Sequence, residues 1–97
     1  MQVASITMFW MQFVGVFILV YVLLTIKEPI AIGIVVAGLM YFAHSFPNGA
    51  FNPAGTIAEY LSGEITSENF VWIIVAQVLG AFAAYYFYKI MKTESGD

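Results

Sequence analysis

Long uncharged stretches constrain the fold of this chain more than any other feature of the sequence. Residues 7–26 contain no Asp, Glu, Lys or Arg. A helix of ~20 residues is long enough to cross the ~30 Å hydrocarbon core of a bilayer. Two further apolar runs follow at 30–46 and 69–89. Together the three runs predict an all-α integral membrane protein with three transmembrane helices.

Composition agrees with a chain that is surrounded by lipid. Of the 97 residues, 62% are hydrophobic and 9% are charged, and the mean hydropathy is +0.89. Soluble domains, by comparison, are about 25% charged. We therefore expect a single membrane domain over residues 1–97 that ends in a short polar tail at 92–97.

The same composition argues against several classes of protein. The chain has three Lys and no Arg, which are too few cations to neutralise a nucleic-acid backbone. It has no Cys and a single His, so we expect no cysteine or multi-histidine metal site. We also find no set of acid, base and nucleophile that would converge in a catalytic site, and so expect neither an enzyme nor a bound cofactor.

The few charges bear on the orientation in the membrane. Lys27, Lys89 and Lys92 lie on one predicted side, whereas the N-terminus and the 47–68 segment lie on the other side without Lys or Arg. Positive charge favours the cytoplasmic side, which predicts a multi-pass protein with its N-terminus outside. Three lysines are a modest bias, and insertion in both orientations (a dual topology) stays open.

The segment between the second and third runs does not read as a plain loop. Residues 47–50, Pro-Asn-Gly-Ala, predict irregular backbone. Asn52-Pro53 then supplies an N-cap residue followed by a proline at the first helical position. Gly63 is typical of a helix end. The enclosed helix of about ten residues spans ~15 Å, half a bilayer. This predicts a re-entrant loop and half-helix over 47–63, with a surface loop carrying an interfacial helix as the alternative.

The context of this asparagine-proline pair carries a resemblance. The stretch at 49–58 reads Gly49-Ala50-Phe51-Asn52-Pro53-Ala54-Gly55-Thr56-Ile57-Ala58. It resembles the aquaporin (major intrinsic protein) family, whose re-entrant half-helices begin with Asn-Pro-Ala. Residues 77–81, Gln-Val-Leu-Gly-Ala, are similar to the family's Gln-x-x-Gly-Ala stretch in the span after the motif.

Two stretches nearer the N-terminus extend this resemblance to about residues 9–89. Residues 12–15, Gln-Phe-Val-Gly, resemble the family's Glu-Phe-x-Gly with Gln for Glu, and 31–33, Ala-Ile-Gly, resemble its Ala-aromatic-Gly. Aquaporins contain two such halves as inverted repeats, and this chain has one. The resemblance thus implies one aquaporin-fold repeat that a second, inverted copy completes. Four such antiparallel dimers, an octamer, would mimic the family's tetramer.

The resemblance also implies roles for individual residues. Asn52 would donate hydrogen bonds to a permeating water at the pore centre, Pro53 would start the half-helix, and Ala54 would pack against its symmetry mate. Gln12 would support the re-entrant loop as the family's Glu does, and Gln77 would tie helices together. The backbone carbonyls expected to line one vestibule are those of Gly49, Ala50 and Phe51.

The selectivity constriction departs from the family pattern. The position after Asn-Pro-Ala, where the second half of aquaporins has Arg, is Gly55, and the aromatic filter position is Ile32. We therefore expect an apolar, wider constriction. His44 is a further candidate for the vestibule wall, with a histidine hydrogen-bonded within the helix bundle as the alternative. Gly15, Gly33, Gly38 and Gly80 are expected to permit close packing between helices.

The leading hypothesis is a passive channel for water or small neutral solutes such as glycerol, formed by self-association in the bilayer. Glu59 is the one acidic residue inside the predicted half-helix, and intramembrane carboxylates are functional candidates. It keeps open a small dual-topology, proton-coupled transporter as an alternative. A further alternative is a non-conducting half that needs a different partner.

Overall fold

A computed structural model describes residues 3–44 and 50–95, and within them the side chains of 6–44 and 50–94. These residues form four helices, which are α1 (Val3–Thr25), α2 (Pro29–Ala43), α3 (Pro53–Leu61) and α4 (Ser67–Ser95). Both α1 and α4 are long and apolar enough to cross a membrane. Helix α2 is equally apolar, but its 15 residues span only ~22 Å. Helix α4 continues to Ser95 and so includes part of the expected polar tail.

Close packing of α1 against α4 forms the centre of the fold. A Cβ atom at Gly80 of α4 would lie 2.6 Å from the Phe13 carbonyl oxygen and 3.3 Å from Val16 Cβ. Glycine at this position therefore sets how near the two helices come. Ala76 and Ala84, on the same helix, are fully buried. Small residues that let backbones approach are the usual basis of helix packing in membranes.

The turn between α1 and α2 is built from a lysine, a glutamate and a proline. Lys27 has a left-handed backbone (φ 57°), which reverses the chain after α1. The Glu28 carboxylate then caps α2, because it accepts hydrogen bonds from Ile30 N–H (3.1 Å) and Ala31 N–H (2.8 Å). Pro29 occupies the first turn, where its missing N–H costs nothing.

Helix α3 begins and ends at the residues that the sequence predicts. Asn52 is its N-cap, Pro53 is its first residue, and Gly63 follows the C-cap with a φ of 83°. Gly63 N–H donates to the Tyr60 carbonyl (3.1 Å) and Glu64 N–H to the Glu59 carbonyl (2.9 Å). This pair of bonds is a Schellman motif, which satisfies the last carbonyls of the helix.

The apolar interior consists of two small clusters, one on each side of the buried amide residues described below. Met8, Ile65 and Ile73 form one of them, and Val16, Ala43 and Phe51 form the other. By contrast, α2 is exposed along most of its length, and Tyr41 reaches 85% exposure. Such a surface suits contact with lipid or with another protein in the membrane.

The four expected packing glycines divide into two pairs. Gly80 contacts α1 as described, and a methyl group at Gly15 would overlap the Phe51 ring. Gly33 and Gly38 have no atom within 4 Å of a Cβ position in the described part of the chain. The expectation of close packing is therefore confirmed at Gly15 and Gly80, and within a single copy it is wrong at Gly33 and Gly38. The reason is that α2 stands away from the other helices along this face.

Candidate functional site

Asn52 caps α3 and also holds the loop that precedes the helix. Its side-chain Oδ1 accepts from Gly55 N–H (2.7 Å), and its Nδ2 donates to the Ala50 carbonyl (3.2 Å). The carboxamide is exposed. An Asn Nδ2 carries two hydrogens, and one of them satisfies Ala50. The other N–H has no acceptor among the described residues.

Phe51 anchors the loop through both its backbone and its ring. Its φ of 57° lies in the left-handed region, which costs a non-glycine residue about 1 kcal/mol. Its N–H donates to Gln12 Oε1 (3.1 Å), and its side chain is only 4% exposed. The ring fits against α1 because Gly15 has no side chain. These contacts hold the strained residue in place, immediately before the helix cap.

Buried polar side chains from three helices support the loop. Gln77 Nε2 of α4 donates to Gln12 Oε1 of α1 (3.0 Å) and to Thr56 Oγ1 of α3 (2.8 Å). Thr56 Oγ1 in turn donates to the Asn52 carbonyl (2.9 Å). The exposed fractions of Gln12, Thr56 and Gln77 are 0%, 0% and 2%. We refer to these three residues as the amide network.

The backbone determines the direction of every hydrogen bond in the amide network. Phe51 N–H can only donate, so Gln12 must present its Oε1, and Gln77 must then present Nε2. The Asn52 carbonyl can only accept, so Thr56 donates to it and accepts from Gln77. Gln77 Oε1 remains, and it is shielded from solvent without a donor in the described part of the chain.

The sequence identified both glutamines of this network but missed the threonine. Gln12 and Gln77 were expected to support the loop and to tie helices together, and they lie in direct contact. In the sequence, Thr56 stands out only as part of the Asn-Pro-Ala context. A signal was present, because a threonine four residues after a cap can bond back to the carbonyl at i−4.

Other predicted pore residues lie around the start of α3. Pro53 and Ala54 are exposed in the first turn. A Cβ at Gly55 would lie 3.0 Å from the Ala50 Cβ, so this position is tight. Gly49 lies outside the described residues. The Ala50 carbonyl, expected in the vestibule wall, already accepts the bond from Asn52.

The two constriction candidates on α2 lie far apart. Ile32 is in the first turn of α2 and is half-buried, whereas His44 is the C-cap and is exposed. Twelve helical residues correspond to ~18 Å, so within one copy these two side chains cannot form the same constriction. His44 lines a surface pocket of about 460 Å³ together with Ala37, Met40 and Tyr41.

Glu59 lies on α3, seven residues or ~10 Å beyond Asn52. Its Oε1 is shielded from solvent and accepts no hydrogen bond from the described residues. Its backbone carbonyl accepts from Ser62 Oγ (3.1 Å) at the end of the helix. Across the described ranges, 3–44 and 50–95, no group of His, Cys, Asp and Glu could hold a metal ion.

Two helices that are long and apolar enough to cross a membrane, together with a short capped helix that buried polar side chains hold in place, are features of an α-helical membrane protein. A family model described as Major intrinsic protein matches residues 23–96. The chain therefore belongs to the major intrinsic protein family, the aquaporins, whose members are membrane channels for water and small solutes and not enzymes. The match begins near the end of α1 and includes α2, α3 and α4. No curated protein and no solved structure gives a significant match.

Proposed function

We propose that this chain forms a passive channel for water and small neutral solutes, built from two copies in opposite orientation. The observation that carries the proposal is the exposed Asn52 carboxamide at the N-terminus of α3. The amide network holds the Asn52 backbone, because Thr56 Oγ1 donates to the Asn52 carbonyl and accepts from Gln77. This fixes the position of the remaining carboxamide N–H. A fixed donor on an uncharged wall suits a neutral, hydrogen-bonding permeant.

The proposed topology has α1, α2 and α4 as spans and residues 47–63 as a re-entrant segment. Helix α3 has nine residues, or ~14 Å, so it reaches about half-way through the hydrocarbon core. Irregular backbone at that depth is tolerated only inside protein or beside a water-filled cavity. The residues before Pro53 would thus line the cavity near the middle of the membrane.

A second copy supplies the missing wall in this proposal. Gly33 and Ala37 are spaced four apart on α2 and form a small-xxx-small pattern. Ala37 is exposed, and no described residue comes within 4 Å of the Gly33 Cβ position. Small residues at this spacing favour close helix contacts in membranes. We place them against the inverted partner, with four such dimers forming an octamer.

The selectivity in this channel comes from two opposed helix ends. Each α3 N-terminus carries about half a positive charge, which repels cations and hydrated protons. A water between the two Asn52 side chains accepts a hydrogen bond from each, so its oxygen cannot also accept a proton from the next water. Gly55 stands where a filter arginine would be, and the constriction is therefore wider and less polar.

Osmotic shrinkage of proteoliposomes tests this proposal. Vesicles with the purified chain should shrink faster than empty vesicles, with a low temperature dependence. Asn52→Asp should remove most of the increase, because it replaces the donor by an acceptor and reverses the local charge. Asn69→Asp is the matched control, since it makes the same change in the first turn of α4. Equal permeability of the two variants would contradict the role of Asn52.

Glu59 supports a second candidate function, a proton-coupled transporter of small solutes. Its shielded, unpartnered Oε1 is the kind of oxygen that can take up and release a proton. This candidate predicts solute uptake driven by a pH gradient, which Glu59→Gln would abolish. Full osmotic permeability in Glu59→Gln, with no gradient-driven uptake in the unsubstituted chain, would favour the channel. Activity that appears only after addition of another half-channel would favour the hetero-partner alternative.

A further inference from the structure

A surface pocket on α2 has the arrangement of a hole that receives a side chain from another helix. It is lined by four residues of α2, which are Ala37, Met40, Tyr41 and His44. They stand at positions i, i+3, i+4 and i+7, a spacing that places side chains on one face of a helix. In knobs-into-holes packing, four residues of one helix form such a hole for one side chain of the facing helix. We call these four residues the α2 hole.

The α2 hole keeps helical geometry and faces away from α1. His44, its last residue, is the C-cap of α2 and has an αR backbone (φ −55°, ψ −30°), so the helical spacing holds to the end of the hole. Tyr41 is 85% exposed and Met40 is 45% exposed. Phe42, by contrast, lies on the side of α2 toward α1, because it lines another pocket together with Trp10 of α1. The hole is therefore open to a neighbour that approaches from the opposite side.

Ile30, near the other end of α2, has the features of a knob that would fill this hole. It is the second residue of α2 and is 73% exposed. Ile30, Gly33 and Ala37 are spaced i, i+3 and i+7, so the knob lies on the same face as the hole. The hole is centred ten to eleven residues further along the helix, or ~16 Å, which Ile30 of the same copy cannot reach. The knob therefore has to come from a second copy.

The orientation of that second copy follows from the positions of the knob and the hole at opposite ends of α2. An antiparallel pair of α2 helices places each Ile30 beside the hole of the other copy, whereas a parallel pair places knob beside knob. The midpoint between Ile30 and the centre of the hole falls near residue 35, between Gly33 and Ala37. These small residues would lie where the helices cross and the backbones approach most closely. A two-fold axis at this point uses both knobs and both holes at once.

We infer that two inverted copies pack through Ile30 of each copy and the α2 hole of the other. The inference rests on the inverted pairing in the proposed function and deepens it, because it names the contact surface and its register. Lipid chains cover apolar side chains as well as protein does. The match in register between knob, hole and small residues therefore carries the inference, and not the exposure of Ile30.

Disulfide cross-linking of the full chain tests this register, and the chain has no cysteine of its own to interfere. We would reconstitute Ile30→Cys and Met40→Cys in vesicles, separately and mixed, and oxidise them mildly. The mixture should form a disulfide-linked dimer on a non-reducing gel, because a disulfide joins Cα atoms about 4.4–6.8 Å apart. Either variant alone should remain unlinked, because like positions of the antiparallel pair are ~15 Å apart along its axis.

Ile30→Cys mixed with Phe42→Cys is the matched control, because Phe42 lies on the side of α2 toward α1. This mixture should form no dimer. Tyr41→Cys, within the α2 hole, should link to Ile30→Cys as Met40→Cys does, and circular dichroism should show the helix content of the unsubstituted chain in every variant. Dimers in Ile30→Cys alone and in Met40→Cys alone would indicate parallel pairing and overturn the inference. A mixture of these two variants that keeps its helix content but forms no dimer would also overturn it.

Osmotic shrinkage of the same vesicles separates this inference from the channel itself. Faster shrinkage than in empty vesicles, without the cross-link between positions 30 and 40, would overturn the register and leave the channel proposal standing. The cross-link without faster shrinkage would support the register and contradict the channel. Both results together are the expected outcome.

Discussion

At the scale of single residues, the loop before α3 depends on the hydrogen bonds of the amide network. Gln12 Oε1 accepts from both Phe51 N–H and Gln77 Nε2. A buried amide in an apolar bundle is costly unless it is paired, and here the pairing extends from one backbone group to another. Removal of one member therefore exposes the cost of several unsatisfied groups at once.

Gln12→Leu should destabilise the fold strongly, whereas Gln12→Glu should be milder. Leucine leaves the Phe51 N–H and part of the Gln77 amide without an acceptor, at a cost of about 1–3 kcal/mol for each group. Glutamate keeps an oxygen for both donors. Thermal unfolding in detergent, followed by circular dichroism, measures the difference. Equal midpoints for the two variants would contradict the support that we assign to Gln12.

Gly15→Ala should also lower the unfolding midpoint, by a different route. The added methyl group would overlap the Phe51 ring, and overpacking of this kind costs about 1–3 kcal/mol. Gly38→Ala is the control, because its Cβ would meet open space in the described chain. Alanine is also the better helix former by about 1 kcal/mol. Thermal unfolding should therefore show a lower midpoint for Gly15→Ala and a higher midpoint for Gly38→Ala than for the unsubstituted chain.

At the scale of elements, helix α3 depends on the residues that cap its two ends. Nine residues are too few for a helix to be stable by itself in water, so its caps and contacts decide whether it forms. Asn52 satisfies the first-turn Gly55 N–H, and Gly63 allows the closing turn. Both caps are also recognisable in the sequence.

Gly63→Ala should destabilise α3 by about 1 kcal/mol, since φ at this position is 83° and alanine rarely adopts that conformation. Within the part of the chain that the structure describes, nothing lies within 4 Å of its Cβ position, so the effect reports on the backbone conformation. Amide hydrogen exchange should show faster exchange in α3 and unchanged exchange in α1. In Gly63→Asn, the exchange rate in α3 should lie between those of the unsubstituted chain and of Gly63→Ala, because asparagine tolerates the left-handed region better than alanine. Protection equal to that of glycine in both variants would contradict the capping role.

Local rules explain why some elements were predictable and others were not. Cap residues and uncharged runs can be recognised within a short stretch of sequence. They predict the N-cap of α3 at Asn52 and the two long apolar helices. The junction of Gln12 with Gln77 joins residues 65 positions apart, and a family resemblance was needed to single them out. The exposure of α2 depends on how the helices pack against one another. A short stretch of sequence does not determine that packing.

At the scale of the whole molecule, much of α2 is exposed when only the described residues of one copy are considered. No atom of residues 3–44 or 50–95 lies within 4 Å of the Gly33 Cβ position, and the exposed Ala37 follows one turn later. Under the proposed assembly this surface packs against the inverted copy. In this proposal, Gly33 and Ala37 are required for assembly and not for the folding of a single copy.

Gly33→Leu should disrupt the assembly without reducing the helix content. The larger side chain would prevent close approach of a partner, whereas its Cβ would have no atom of the described residues within 4 Å. Size-exclusion chromatography with light scattering measures the oligomer, and circular dichroism measures the helices. Val71→Leu, at an exposed site on α4, is the control. An unchanged oligomer in Gly33→Leu would argue against α2 as the contact surface.

The anchor of the loop has one property that a carboxylate anchor would lack. Gln12, Gln77 and Thr56 carry no group that titrates between strong acid and strong base. The loop they hold thus has no protonation state to lose when its surroundings acidify. Acidification therefore leaves in place the hydrogen bonds by which these three side chains hold the loop.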